Sequence, residues 1–442
     1  MKAVPSPVAD ARTQNITLIT LDDWLAYLER IHPQSIAMGL DRVLKVSQAL
    51  ELNPPFPIIT VAGTNGKGST CAMLEAILRA AGYKIGCYTS PHLQHFNERI
   101  RVDLAPADDE ALIEAFLRVE EARQGIPLTY FEFATLAAIT IFCEAGVDTA
   151  VLEVGLGGRL DAVNAFDSTC AIVTSIAMDH MDYLGDTREK IGYEKAGIFR
   201  AGKPAICGDP DLPDSVSGYA RKIGADLQCV GVDFHFTAEQ NQWYFAGRHG
   251  KRASLPYPAL RGVYQLQNAC AALAALDELR AELPVTMNNI RAGLSQVELP
   301  GRFQVLPGRP LVILDVAHNP HAAANLAANL KAMPRFGKTL AVFGMLGDKD
   351  IYGVIDAVKD EIDEWFISGI RERRGASCEH IERELARHGL SANVKRFSSI
   401  IEAYEGAMGN ARDSDRILVF GSFHTVGDVL RHRALLKKPK EP

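Results

Sequence analysis

The run Gly63-Thr64-Asn65-Gly66-Lys67-Gly68-Ser69-Thr70 combines three glycines, a lysine and several hydroxyls. It lies directly after an apolar stretch that reads as a strand and directly before one that reads as an amphipathic helix. In that setting it is a phosphate cradle. Backbone N–H groups and the positive helix end face phosphate oxygens, glycines let the backbone approach, and Lys67 neutralises charge on a transferring group. Thr64, Asn65, Gly66, Lys67, Gly68 and Ser69 are therefore the expected nucleotide-binding residues. The general pattern puts Ser or Thr immediately after Gly-Lys. Here Gly68 is interposed, so the usual metal–hydroxyl geometry does not carry over. The competing reading, a Gly-rich turn with an incidental lysine, is disfavoured by the strand and helix on either side.

A second set is dispersed: Ser90 in YTSPH, Glu153 in LEVGLGGRLD and His180 in VTSIAMDH. A hydroxyl, a carboxylate and an imidazole suit a divalent cation that also touches nucleotide phosphates, and Mg²⁺ keeps several waters and few protein ligands. Each has an ordinary alternative. Ser90 could start the turn at Pro91, Glu153 could pair with Arg159, and His180 could cap a loop.

The elements that must position these residues follow from periodicity. Short β-branched runs alternate with helical patterns from Ile58 onward, the mark of an α/β fold with a mainly parallel sheet covered by helices. Expected strands are 58–61, 84–88, 149–154 and 171–176, with helices at 69–81, 107–123 and 131–145. Two helices, 21–28 and 40–50, split by His32, Pro33 and Gly39, precede them. Ligands of open parallel sheets gather at the carboxyl ends of strands, where Ser90, Glu153 and His180 all fall. Residues 204–246 read as short strands and turns, followed by a helix at 265–279. After ELPGR at 298–302 a fresh alternation begins, with strands near 311–315, 339–343, 364–368, 392–396 and 416–420. The expected division is residues 1–297 and 298–442, the second a smaller Rossmann-like domain.

Composition bounds the function. At 442 residues two domains are the natural expectation, and 47% hydrophobic with 23% charged residues is the balance of an ordinary globular enzyme. The net charge of −7, spread without long blocks, speaks against nucleic acid. The basic tail at Lys437, Lys438 and Lys440 reads as solvated. Eight cysteines without a CxxC pair read as reduced and mostly buried. No apolar run reaches the roughly 18 residues of a membrane span, and the N-terminus lacks a secretory core, so no membrane partner and a cytoplasmic location are expected.

Taken together, GTNGKGST, YTSPHL, LTYFEFATLAA, LEVGLGGRLDAVN, TSIAMDHMDYLG, YEKAGIF, LPGRFQ, DVAHNPHA and FGSFHTV closely resemble the folylpolyglutamate synthases of the Mur ligase superfamily. The likeness is closest to the bifunctional bacterial kind that also makes dihydrofolate. It implies a P-loop-containing, Mur-ligase-like central domain followed by the Rossmann-like one, and a monomer. By resemblance, Thr64 to Lys67 bind ATP phosphates and Ser90, Glu153 and His180 ligate Mg²⁺. Lys195 in YEKAGIF is carbamylated, and Asn268, Arg302 and Asp315 surround ATP. The alternatives are a Lys195–Glu194 ion pair, a helix-start role for Asn268 and an Arg302–Asp315 ion pair.

The resemblance places the pterin-bearing substrate against Ile36, Ala37 and Met38, Thr129, Tyr130, Phe131 and Glu132, and Leu160, Asp161 and Ala162. Phe131 offers an aromatic face and Asp161 a hydrogen-bond acceptor. Phe131 could equally be core and Asp161 a turn cap. His318, Ser422 and His424, at strand ends of the second domain, face where glutamate would sit, His424 doubling as a helix-start residue. The implied chemistry is ATP-dependent. A dihydropteroate or reduced-folate carboxylate attacks the γ-phosphate, and the amine of L-glutamate then attacks the acyl phosphate. Whether a monovalent cation is also required stays open. Rivals are another Mur-type ligase acting on a UDP-linked cell-wall precursor, a nucleotide-gated switch and a non-catalytic ATP-binding module.

Overall fold

The computed structural model describes residues 18–32, 34 and 36–437; Pro33, the N-terminal stretch read above for a secretory core, and Lys438 and Lys440 of the basic tail lie outside them. Strands β1 (Ile58–Ala62), β2 (Ile85–Tyr88), β3 (Ile100–Val102), β4 (Ala105–Pro106), β5 (Thr149–Glu153), β6 (Cys170–Val173), β7 (Pro204–Cys207) and β8 (Asp226–Cys229) form one sheet. Its order is β4-β3-β2-β5-β1-β6-β7-β8. From β2 to β8 every pairing is parallel, while the β2–β3 and β3–β4 pairings are antiparallel.

Strands β1, β2, β5 and β6 are buried along their whole length, as strands covered on both faces must be. Successive side chains of β1 enter opposite cores. Ile58 and Ala62 join Trp24, Phe116, Phe133 and Phe142, whereas Ile59 and Val61 join Met73, Ile77, Trp243 and Leu273. The first core lies under helices Leu21–Leu28, Asp41–Ala49, Asp109–Arg123 and Tyr130–Ala145. The second lies under Lys67–Ala80, Gln265–Glu278 and Met287–Gln296. It also takes in a three-stranded antiparallel sheet of β9 (His235–Ala238), β10 (Trp243–Gly247) and β11 (Gly250–Leu255).

Several helices depart from the sequence reading, among them Arg188–Ala196, which carries Lys195. Asp214–Ile223 interrupts the region read as strands and turns, and it buries Val216 and Ala220. Met287–Gln296 falls where no element is expected. A capping box between Thr286 and Asn289 starts it, and Gly293 lets it press on the helix after β1, where an added Cβ would meet the Ile77 backbone at 2.5 Å.

The last sheet comprises β12 (Gln304–Leu306), β13 (Leu311–Asp315), β14 (Thr339–Phe343), β15 (Glu364–Ser368), β16 (Val394–Phe397) and β17 (Arg416–Phe420), in the order β12-β13-β17-β14-β15-β16. All pairings beyond β12 are parallel. Here β13, β14, β15 and β17 span the residues their apolar runs predict. Among the described residues no helix is long and apolar enough to cross a membrane.

Candidate active site

Strands β2, β5, β1 and β6 are neighbours and parallel, so the loops that follow them open on one edge of the sheet. That edge carries Ser90, Glu153, the Gly63–Thr70 loop and the 174–180 segment. Gly63 has φ +149° and a Cβ there would meet Thr174 Oγ1 at 1.9 Å; Gly66 has φ +90° and a Cβ there would meet Asn268 Oδ1 at 2.4 Å. Side chains at either position would push the loop off its supports. Thr64 N donates to the Ser175 carbonyl (2.7 Å), Asn65 N to Ser175 Oγ (3.0 Å), and the Thr64 hydroxyl exchanges hydrogen bonds with Ala177. Thr64 thus uses its side chain to hold the loop. Lys67 starts the following helix and folds back, donating to the carbonyls of Gly63 (3.1 Å) and Thr64 (3.3 Å). Ser69 is buried and its Oγ meets Gln265 Nε2. Gly68 keeps space open between Arg302 and Glu153, where a Cβ would contact both.

These residues line a cavity of about 250 Å³ together with Ser90, Glu153, His180, Lys195, Asn268, Arg302, Asp315 and His318. Glu153 is buried and accepts from the Ser90 backbone N–H (3.0 Å). Burial raises its pKa, opposed by Lys67, that N–H and Arg302. His180 is held down to about 4 by burial and by the nearby Lys349 and Lys67, against Asp179. Its imidazole is therefore neutral near pH 7, the form that ligates a metal. Among the described residues no cluster of three or more His, Cys, Asp or Glu could hold a metal. A cation between Ser90, Glu153 and His180 would draw its remaining ligands from water and phosphate, as Mg²⁺ commonly does.

Of the ordinary ion-pair alternatives, three fail. Arg159 pairs with Glu194 (2.9 Å), so Arg159 is not the partner of Glu153 and Glu194 is not the partner of Lys195. Lys195 is buried on the cavity wall, with no carboxylate within 4 Å among the described residues. Burial, reinforced by Lys67, lowers its pKa to about 7. Arg302 and Asp315 make no contact ion pair; Asp315 accepts from the backbones of Phe303 and Ala317 (2.8 Å each), and Arg302 stacks over Phe423 at 4.9 Å. Asn268 sits in the first turn of its helix, so the helix-start reading and the cavity position coexist.

A second cavity, about 300 Å³, adjoins the first and shares Ser90, Gly155, Leu156, His180, His318 and Phe423 with it. Ile36, Ala37, Met38, Thr129, Phe131, Glu132, Leu160, Asp161, Ala162, Ser422 and His424 all line it. Tyr130 does not; its ring lies against Phe96 and the Arg99 guanidinium. Phe131 lies so close over Gly155 that a Cβ there would meet the ring at 2.6 Å. The Glu132 carboxylate is occupied by Arg42 (2.7 Å) and the Thr129 N–H (2.7 Å), and Arg42 also reaches the Ala37 carbonyl (2.7 Å). Glu132 therefore shapes the wall that Ala37 belongs to. Asp161 is buried, caps the turn at Val163 (3.1 Å) and takes the Leu156 N–H (2.8 Å). Burial lifts its pKa to about 7, so it can donate as well as accept near neutrality. Ser422 is buried and caps the last helix through Thr425 N (3.0 Å), while His424, in that helix, is exposed.

The sequence reading missed the side chains that join the two sheets. Asn65 and Asn319 exchange amide hydrogen bonds (3.2 and 3.0 Å), and Asn319 also donates to Asp179. Lys349, after β14, is almost fully buried and bonds Asp179 (2.6 Å) and His180 (3.1 Å). Burial would raise the Asp179 pKa, but His180, Lys349 and His318 outweigh it and hold Asp179 well below the usual range. The available signal was position: Asp179 adjoins His180, and Gly347-Asp348-Lys349-Asp350 follows the carboxyl end of a strand.

A model of the Mur ligase middle domain matches residues 61–276, and one of the Mur ligase glutamate ligase domain matches residues 301–423. The dihydrofolate synthase/folylpolyglutamate synthase of Escherichia coli is 47% identical over 411 residues, covering 93% of this chain and 94% of its own. The E. coli structure in complex with DHPP and ADP has a TM-score of 0.90 at 45% identity, covering 98% of this chain and all of that one. A bifunctional folylpolyglutamate synthase/dihydrofolate synthase solved with Mn, AMPPNP and L-glutamate has a TM-score of 0.88 at 43% identity, with the same coverage.

Proposed function

This chain belongs to the Mur ligase family, among the dihydrofolate synthases/folylpolyglutamate synthases, and we propose that it performs both of their ligations. It adds L-glutamate, with ATP, to dihydropteroate to give dihydrofolate and to the γ-carboxyl of reduced folates to give folylpolyglutamates. The observation that carries this is the meeting of the phosphate cavity with the aromatic-walled cavity at Ser90, Gly155, His180 and His318. An acceptor carboxylate and a γ-phosphate brought there are in reach of each other.

The acceptor carboxylate attacks the γ-phosphorus and ADP leaves. The amine of glutamate attacks the acyl carbon, and phosphate departs with an oxygen of the acceptor. Lys67, released from the Gly63 and Thr64 carbonyls, follows the phosphoryl group, and Arg302 approaches it from the segment joining the two sheets. Both act by preorganised charge. Asn268 and Asp315 hold the nucleotide. The pterin stacks on Phe131 and meets Asp161. His318, Ser422 and His424, with the cations Lys349 and Arg374 of the same cavity, receive glutamate. Mg²⁺, held by Ser90, Glu153 and His180, would neutralise phosphate charge when bound. The proposal extends to a carbamylated Lys195, which the neutral amine available near pH 7 supports. It extends also to residues 1–297 and 298–442 as the two functional units, to a monomer and to a cytoplasmic location.

The test supplies ATP, Mg²⁺ and glutamate with either dihydropteroate or tetrahydrofolate and identifies products by mass. Both acceptors should gain one glutamate residue. Turnover of tetrahydrofolate alone, with dihydropteroate neither bound nor consumed, refutes the bifunctional reading. Omitting K⁺ decides the monovalent-cation requirement.

A further inference from the structure

The two acceptors differ in one charged group. Dihydropteroate carries a single carboxylate, the one that reacts. A folylglutamate carries two, a reacting γ-carboxylate and a spectator α-carboxylate. An enclosed spectator anion needs a cation or donors, because an unpaired charge is costly to bury. Three Lys or Arg side chains line the acceptor cavity: Arg99, Lys349 and Arg374. Lys349 is paired with Asp179, and Arg374 with Asp348. Among the described residues no carboxylate lies within 4 Å of Arg99.

Arg99 is nonetheless held in place. Its guanidinium lies over the rings of Phe96 (5.6 Å) and Tyr130 (5.4 Å), and its Nε donates to His92 Nδ1 (2.9 Å). His92 Nδ1 is the acceptor that fixes the near side of the guanidinium. The Arg99 carbonyl takes the N–H of Thr89 (2.9 Å), which ties this residue to the Ser90 loop where the two cavities meet. Neither Nη group donates to protein among the described residues. The result is a half-buried guanidinium, fixed from behind by two rings and an imidazole, with its fork free on the acceptor side. That fork matches a carboxylate in a bidentate pair.

We propose that Arg99 is the binding residue for the spectator α-carboxylate of folylglutamate acceptors, and so a specificity determinant that serves the folate reaction and not the dihydropteroate one. Tyr130 and His92 are positioning residues for it. This rests on the reading that the enzyme extends both acceptors. It also separates two sets of cations. Arg99, on the Phe131 side, takes the acceptor's carboxylate, and Lys349 and Arg374, from the second sheet, face the incoming glutamate.

The experiment is a cycle between a side chain and a substrate group. Wild type, Arg99→Met and Arg99→Lys are each assayed with dihydropteroate, with tetrahydrofolate, and with the tetrahydrofolate analogue whose α-carboxylate is a carboxamide. A charge-assisted pair of this kind corresponds to roughly a tenfold to hundredfold change. Arg99→Met should lower kcat/KM for tetrahydrofolate by about that factor through KM. Dihydropteroate turnover, which also reports folding, should fall less than about threefold, because that acceptor has no α-carboxylate to lose. The α-amide should lose the same factor in wild type and lose little further in Arg99→Met, because the two changes remove one interaction. Arg99→Lys should recover part of the loss. Equal losses for both acceptors, or a raised KM for L-glutamate, would assign Arg99 to general catalysis or to the donor and overturn the proposal. So would wild-type enzyme that uses the α-amide as well as the acid, a result that needs no variant. If wild type fails to extend dihydropteroate, the bifunctional reading falls, while the α-amide comparison still judges Arg99.

Discussion

Lys67 and Lys195 stand on the same cavity wall with different fates, and each can be tested alone. Among the described residues Lys67 hydrogen-bonds two loop carbonyls and makes no contact ion pair, so its removal breaks no salt bridge. Lys67→Ala should fold, bind acceptor nearly as before, and lose roughly 10²- to 10³-fold or more in kcat, the scale for losing a preorganised charge at the transition state. Near-normal turnover would remove the loop from the mechanism. Lys195 has its pKa lowered to about 7 by burial and by Lys67. The amine that reacts with CO₂ is the neutral one, and its fraction grows as pH rises through 7. ¹³C-bicarbonate should therefore give a carbamate signal that is stronger at pH 8 than at pH 6 and absent in Lys195→Arg. Lys195→Arg should be as inactive as Lys195→Ala, and an active Arg variant would return this residue to ordinary ion pairing. Sequence carried the identity of both lysines. It could not carry the burial that sets the charge of Lys195, nor the Arg159–Glu194 pair that deprives it of a partner.

At the scale of elements, long apolar runs were legible because a strand buried on both faces is apolar throughout, and the strands that place Ser90, Glu153 and the phosphate loop follow that rule. Elements set by local partners were not. The β3–β4 hairpin is short, and its Arg101 is spent on a buried bidentate pair with Glu75 of the phosphate-loop helix (2.7 Å). The helix Met287–Gln296 was hidden because its closest contact is made by a residue without a side chain, Gly293, which shows no apolar signal in the sequence. That contact predicts an outcome. Gly293→Ala forces the backbones of two packed helices apart, a form of overpacking that costs about 1–3 kcal/mol. Thermal unfolding should begin several degrees lower, and ATP KM should rise because the displaced partner is the phosphate-loop helix. An unchanged melting curve would mean that this contact is looser than the structure has it.

For the whole molecule, the site exists only where the two sheets present their carboxyl ends to each other, joined through Asn65, Asn319, Asp179 and Lys349. Motif order pointed to both ends, but pairings between residues 140 to 254 positions apart follow from topology and have no local pattern. Removing one member of a nearly buried ion pair costs about 3–5 kcal/mol because the other charge is left behind. Lys349→Met should therefore loosen the junction, seen as a larger radius of gyration in solution scattering of the unliganded protein, and raise the KM for glutamate. Unchanged values of both would show that the amide pair alone holds the junction. The central claim, that these surfaces join an amine to a carboxylate through an acyl phosphate, is tested most directly by isotope transfer. Dihydropteroate labelled with ¹⁸O in its carboxylate is incubated with ATP, Mg²⁺ and L-glutamate, and the products are weighed. The account predicts dihydrofolate, ADP, and inorganic phosphate carrying one ¹⁸O from the acceptor, all dependent on glutamate. Unlabelled phosphate, or AMP with pyrophosphate in place of ADP, would contradict it.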